Sequence, residues 1–339
     1  MSRPGRRLLI AAGIAAGLLL LAGAALAVIN RAPAGSTDRL FSIEKGESLS
    51  QISRHLQADG LIRFAPLLQA LGRLRGTQGA FKAGYYRIPA GSSTLAVHDL
   101  IVAGAQSLGK VTIPEGWTLT KIARHLEAEG ITPAADFLAE ASSPAVMAEF
   151  GIQEQSMEGY LFPDTYFVPK PFPARTMVEL MARTFFDTLA GIQPDWKTLP
   201  PAGVRERIIM ASIVEREYQV DEEAPLIASV FYNRLRLTIG LESCATLEYI
   251  ITEIQQKPHP EYITLDDEKI DSPYNTYKWA GLPPGPISNP GKTALEAAFK
   301  PARTDYLYFV LRDAKTGRHY FSRNLNEHNQ AKFLYLKKP

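Results

Sequence analysis

Hydrophobic and polar positions along this chain fall into three regimes. From Leu8 to Ile29 no charged residue occurs, directly after Arg3, Arg6 and Arg7. As a helix, those residues would extend about 33 Å at 1.5 Å each, enough for a bilayer's hydrocarbon core. Between about 40 and 170, short alternating runs give way to helical periodicity, and glycines end the helices. Phe41–Ile62 (FSIEKGESLSQISRHLQADGLI) recurs 70 residues later as Val111–Thr132 (VTIPEGWTLTKIARHLEAEGIT), with nine of 22 positions identical. Each copy predicts a short strand, a Gly turn, an N-cap (Ser48, Thr118), and an amphipathic helix closed by glycine at C′. The first copy continues through a helix near Ala65–Leu74, a strand in Lys82–Pro89 and a Gly-bounded helix within Gly91–Gly104. Further on, helical spacing marks Ala174–Ile192, Val204–Glu217 and Ala224–Leu237. Arg303–Ser322 predicts a hairpin turning through Lys315-Thr316-Gly317, and a last helix starts near Leu325, capped by Asn324. The predicted class is α+β.

Charge adds an orientation and removes several functions. Arginines before the apolar segment and only Arg31 just after it put the N-terminus in the cytoplasm. Ala25-Leu26-Ala27 resembles a signal-peptide cleavage site, but the apolar run exceeds the 7–15 or so residues of such peptides, so a retained anchor is expected. Asn30–Thr37 then reads as a tether. Four of the 37 basic residues precede Asp38, leaving 33 against 35 acidic ones. That balance speaks against a nucleic-acid partner. The lone Cys244 excludes an intramolecular disulfide framework, and the six histidines show no ligand spacing, so neither a metal nor another cofactor is implied. His55 and His125 occupy equivalent helix positions, which repetition alone explains.

Val204–Glu217, VRERIIMASIVERE, carries the candidate chemistry. Glu215 continues the face of Ile208, Ala211 and Ser212, where a soluble helix would bury an apolar side chain. A carboxyl group in such surroundings has a raised pKa and can serve as a general acid near neutrality. Glu217 is about 200° further round, toward solvent or a salt bridge. A helix-end ion pair for Glu215, for example with Arg216, is the plainer alternative. Met157–Val168, MEGYLFPDTYFV, places aromatic faces beside Glu158 and Asp164, a composition suited to sugar rings and equally to a core. The Gly281–Gly291 stretch has no phosphate-binding pattern and reads as loop geometry.

The first copy's strand–helix–helix–strand plan resembles a LysM-type module, a fold that holds N-acetylated glycans in a shallow groove; a spacer role stays open. EGYLFPDTY (158–166), ASIVERE (211–217), ASVFYNRL (228–235), YNTY (274–277), GLPPGPISNPG (281–291) and YLYFV…HYFS…EHN (306–329) occur in that order. With them the chain, over about 41–335, resembles the YceG-like, or MltG, endolytic murein transglycosylases. The resemblance implies cleavage within peptidoglycan at MurNAc–GlcNAc bonds, leaving 1,6-anhydro-MurNAc ends, with the catalytic glutamate falling on Glu215. One carboxyl suffices because the substrate's own C6 hydroxyl attacks intramolecularly. Glu158, Tyr166, Ser212, Glu242, Ser243, Asn275 and Tyr277 are the candidate substrate-binding residues.

The segment after the second helix departs from the family's usual L-Q-S/T-D-P-T-V. Here Glu242, Cys244 and Ala245 replace Gln, Asp and Pro, and Glu242 is a candidate second carboxylate in the cleft, coupled to Glu215. An exposed Glu242 paired with Arg234 or Arg236 is the alternative. The expected organisation is a cytoplasmic tail (1–7), transmembrane anchor (8–29), linker (30–40), LysM-like module (41–108), second repeat and connecting region (109–170) and catalytic domain (171–339). Peptidoglycan strands, and with them peptidoglycan synthases, are the expected partners, at the inner membrane facing the wall. Two other classes remain open: a non-catalytic glycan-binding scaffold, and a muramidase pairing Glu215 with Glu158, Glu217 or Glu242.

Overall fold

Local signals build the first compact unit, residues 1–109. The computed structural model describes residues 3–104 and 108–335, with the side chains of 3–12 and 15 excepted. The unit opens with α1 (Arg3–Asn30), which leaves Leu18, Leu19, Leu20 and Leu21 exposed. The expected membrane span falls partly on residues 8–12 and 15, whose side chains lie outside the described set. Among the described residues no helix is long and apolar enough to cross a membrane.

Next come β1 (Arg39–Ile43), α2 (Leu49–Ala58), α3 (Ala65–Leu74), β2 (Gly84–Ile88) and α4 (Thr94–Ala103). Antiparallel pairing sets Phe41 opposite Tyr86, and the two-residue period turns Phe41, Ile43, Tyr86 and Ile88 to one face. Ile52, Leu56, Leu68, Val97 and Ile101 from the helices complete this core. The expected cap is a full capping box: Ser48 and Gln51 exchange side-chain and backbone bonds.

The second unit, Lys110–Pro339, takes in the second repeat together with everything after it. β3 (Leu108–Thr112), α5 (Leu119–Ala128), α6 (Ala134–Ala141) and α7 (Pro144–Glu149) lead to β4 (Thr165–Pro169), which pairs with β3. The second repeat thus closes with a returning strand, as the first does. Then come α8 (Ala174–Ile192), α9 (Pro201–Val214), α10 (Ala224–Arg236) and α11 (Cys244–Tyr249), the last extended by a π turn at Ile250–Ile254. α12 (Lys292–Phe299), the hairpin of β5 (Tyr308–Asp313) and β6 (Arg318–Ser322), and α13 (Leu325–Tyr335) finish the chain. Among the described residues, six strands in three two-stranded sheets stand with these helices in a mixed α+β fold.

Two features of this unit position the site. Residues 208–214 of α9 are all buried, so the helix is a core rod rather than one with an apolar stripe. It ends at Val214, three residues earlier than its periodicity predicts. The Arg216 and Glu217 amides bond three residues back, to Ile213 and Val214, tightening the last turn. α12 packs against α9 and α10 through Ala294, Leu295, Ala297 and Ala298, mostly small residues that let its N-terminus approach the end of α9. On the other side of α10, buried Glu223 accepts from the His319 amide (3.0 Å) and pairs with its Nδ1 (2.9 Å), fixing the hairpin.

Gly159 reports on the seating of the 281–291 loop. Its φ of +85° suits glycine, and an added Cβ would overlap the Pro286 ring. Gly159→Ala should cost about 2 kcal/mol or more, lowering the thermal midpoint by about 4–8 °C. An unchanged midpoint in calorimetry would contradict this packing.

Candidate active site

The site is assembled by a buried asparagine. Asn289 has no exposed surface, and its Oδ1 accepts from the Gly159 and Leu161 amides, each at 3.0 Å. Its Nδ2 donates to the Trp117 carbonyl (3.0 Å) and to Glu158 Oε1 (2.8 Å). Along the backbone, Asn289 N–H reaches Trp117 O (2.9 Å) and Gly116 N–H reaches Asn289 O (3.0 Å). Two residues earlier the same loop is fixed to α9, where Ser212 Oγ accepts from Ile287 N–H and Ser288 Oγ donates to Ser212 O. Three distant segments thereby meet at the end of α9.

Glu215 sits at that junction, half-buried at the C-cap of α9. Its Oε2 accepts from the Gly291 amide (2.8 Å), which opens α12. A Cβ on Gly116 (φ +72°) would touch Glu215 Cγ at 3.4 Å, so the glycine keeps the other side of the carboxyl group clear. Burial pushes the Glu215 pKa up to about 8. The Gly291 amide and a Tyr218 hydrogen bond oppose that rise; the carboxylates of Glu115 and Asp221 add to it. Glu215 therefore holds a proton at neutrality and presents one backbone donor to the anion it would become.

The pattern that defines the YceG-like family matches residues 41–333. The chain belongs to this family. It is 30% identical over 313 residues to a Bacillus subtilis (strain 168) protein named endolytic murein transglycosylase, covering 87% of this chain and 84% of that one. A Streptococcus pneumoniae (strain D39) protein of the same name is 29% identical over 317 residues, covering 85% of this chain and 56% of the longer relative. The crystal structure of a YceG-like protein from Listeria monocytogenes superposes with a TM-score of 0.58 at 32% identity, covering 87% of this chain and 99% of that one.

Within this YceG-like chain the other candidate residues divide into two groups. Glu158, Tyr166, Ser212 and Asn275 are buried and serve the framework. Glu158 accepts from the Leu119 amide (3.1 Å) and from Asn289, and burial raises its pKa to about 8. Tyr166 donates to Phe162 O. Asn275 donates to the Glu268 and Ile270 carbonyls and accepts from the Tyr277 and Lys278 amides. With their polar atoms so engaged, these four are not placed to bind a sugar. Ser243, Glu242 and Tyr277 instead line a cavity of about 410 Å³ together with Glu217 and Cys244. Glu215 is not among its lining residues.

Two expectations about carboxylates are corrected. Glu217 does not face solvent: the tightened turn swings it inward, where Ser243 Oγ donates to it and burial raises its pKa to about 7. Nor does Glu242 stand beside Glu215: the structure shows the alternative reading, a pair with Arg234 at 3.0 Å. The residues around Glu215 are Glu115, Gly116, Tyr218, Asp221 and Gly291. The charge beside Glu215 belongs to Glu115. One sequence signal marked it, since the aligned position of the first repeat is Lys45.

These raised pKa values set a pH dependence of stability. Below about pH 4.5 folded and unfolded chains both carry the carboxyl protons. As pH rises toward 8 only the folded chain retains them, so stability falls across that window. Glu215→Gln cannot ionise. Its thermal midpoint should match the parent's near pH 4 and exceed it increasingly up to about pH 8. A constant offset at every pH would contradict the buried, protonated state of Glu215.

Proposed function

We propose that this chain is a membrane-anchored endolytic peptidoglycan lytic transglycosylase that cleaves MurNAc–GlcNAc bonds and leaves 1,6-anhydro-MurNAc ends. The family and the names of its relatives support the substrate and the enzyme class. The observation that carries the chemistry is Glu215: half-buried, pKa about 8, with a single backbone amide on Oε2. Protonated Glu215 donates to the leaving glycosidic oxygen as positive charge builds at C1 of MurNAc. The Gly291 amide, at the positive end of α12, stabilises the carboxylate this creates. The MurNAc C6 hydroxyl then attacks C1 and returns its proton to Glu215, so the acid is regenerated and no water is consumed. Ser243, Glu242 and Tyr277 are the residues of the 410 Å³ cavity proposed to hold flanking sugar. In this reading the enzyme limits the growth of strands made by peptidoglycan synthases.

Glu215→Gln should lower glycan cleavage by a factor of about 10² or more while the protein stays folded. Mass spectrometry of peptidoglycan digested by the parent should find anhydro ends. Reducing ends would indicate a muramidase, and intact strands a scaffold.

Anchoring rests on the unbroken apolar segment after Arg3, Arg6 and Arg7. Protein purified from the inner-membrane fraction should retain Met1–Ile29. An N-terminus at Val28 would sink the anchor.

A further inference from the structure

Two carboxylates bracket the first residue of the loop-to-α12 junction. Glu215 takes the Gly291 amide at 2.8 Å, and Glu115 takes the next amide, that of Lys292. Glu115 also lies so close to the Gly291 α-carbon that a Cβ there would coincide with its carboxyl group. A side chain at residue 291 would push the Glu115 carboxyl group aside, so glycine here lets both acids reach the same helix start. Glu115 reaches it from the turn before α5, 176 residues before Gly291 in sequence, because Asn289 fixes Gly116 and Trp117 against the loop.

We propose that Glu115 is a positioning residue for the reaction assigned above, a fixed negative charge that keeps the proton on Glu215 until the glycosidic oxygen takes it. The inference rests on Glu215 being the acid. The other groups facing Glu215 are Tyr218, which hydrogen-bonds to it, and Asp221, both from the stretch after α9. The cation of α12's first turn, Lys292, is exposed and lies 3.6 Å from Glu296. Asp221 acts on both glutamates, so the three acids form one coupled system. Glu115 remains open to solvent while Glu215 is half-buried. Burial and the Asp221 charge push the Glu115 carboxyl up as well, and the Lys292 amide opposes that rise. Glu215 is the more deeply buried of the two, so Glu115 is the less costly to ionise and Glu215 the one left protonated.

The repeat sharpens the argument. Lys45-Gly46 in the first copy becomes Glu115-Gly116 in the second, keeping the turn glycine and inverting the charge beside it. A turn alone needs the glycine and is indifferent to that inversion; a site that must hold a proton is not.

The plainer account is a helix cap, since any acceptor at the start of α12 satisfies the Lys292 amide. Glu115→Gln separates the two, because its amide oxygen keeps the bond and its charge is gone. The experiment measures kcat against pH on full-length protein in detergent, with soluble glycan strands. In Glu115→Gln the alkaline limb should move to lower pH by roughly half a unit to one unit, a three- to tenfold relative loss at about pH 8.5. Glu115→Lys, the residue of the first repeat, should move the limb further the same way, and Glu115→Asp should leave it near the parent's. A limb that overlays the parent's in the Gln and Lys variants, or that moves equally in the Asp variant, overturns the proposal. Glu215→Gln run alongside keeps the two readings distinguishable. If it is inactive at every pH while the Glu115 variants overlay, only Glu115 loses its role; if it is active, the acid assignment itself fails.

Discussion

The second unit depends on the hydrogen bonding of Asn289. A fully buried side-chain amide with both donors and both acceptor lone pairs engaged is costly to disturb, since each lost partner leaves a desolvated polar group. Its partners are the turn before α5, the 158–161 bend and Glu158. The neighbouring Ile287 and Ser288 tie the same loop to Ser212 in α9. With the loop pinned at both places, Pro290 and Gly291 have one path into α12. The Gly291 amide is therefore delivered to Glu215 by a hydrogen-bonded framework.

That framework carries an electrostatic cost. Glu158, Glu215 and Glu217 all sit where burial lifts their pKa to between about 7 and 8. Each favours the protonated fold and opposes the ionised one. Glu158 and Glu217 are compensated locally, by Leu119 and Asn289 and by Ser243. The Arg216 charge also offsets the cost at Glu158 and Glu217, whereas Glu215 is offset by a backbone amide and a tyrosine hydroxyl. A carboxyl group kept underserved in this way is what acid chemistry at neutral pH requires, and stability elsewhere must absorb it.

Legibility in the sequence follows the range of the interaction. Caps and helix ends at Ser48, Gly60, Thr118 and Gly130, the Ala174–Ile192 helix and the hairpin turn were readable because each is decided within a few residues. Glu215 was readable from apolar neighbours, although the helix proved buried all round and ended earlier than its period implied. Glu217 was misread for that reason: a tightened last turn abolishes the angular bookkeeping that put it outside. Ser212 and Asn275 looked like sugar ligands because polar residues in or near the family's motifs invite that reading, yet backbone groups use them up. Asn289 could not be seen, since its partners lie 128 to 172 residues away.

Glu242 and Glu115 show why a nearby acid is hard to choose from sequence. Glu242 follows α10 closely and seemed able to reach the same cleft, but Arg234 lies within 3.0 Å and captures it. Arg234 is itself buried, so releasing Glu242 would strand a charge, a larger penalty than any exposed pair would carry. Glu115 instead bonds the Lys292 amide, next to the Gly291 amide that Glu215 takes. The acid beside Glu215 is thus decided by packing rather than by proximity in sequence. The duplicated repeat is the exception that leaves a trace. The two copies differ at Lys45 and Glu115, and the second contributes a wall to the Glu215 site.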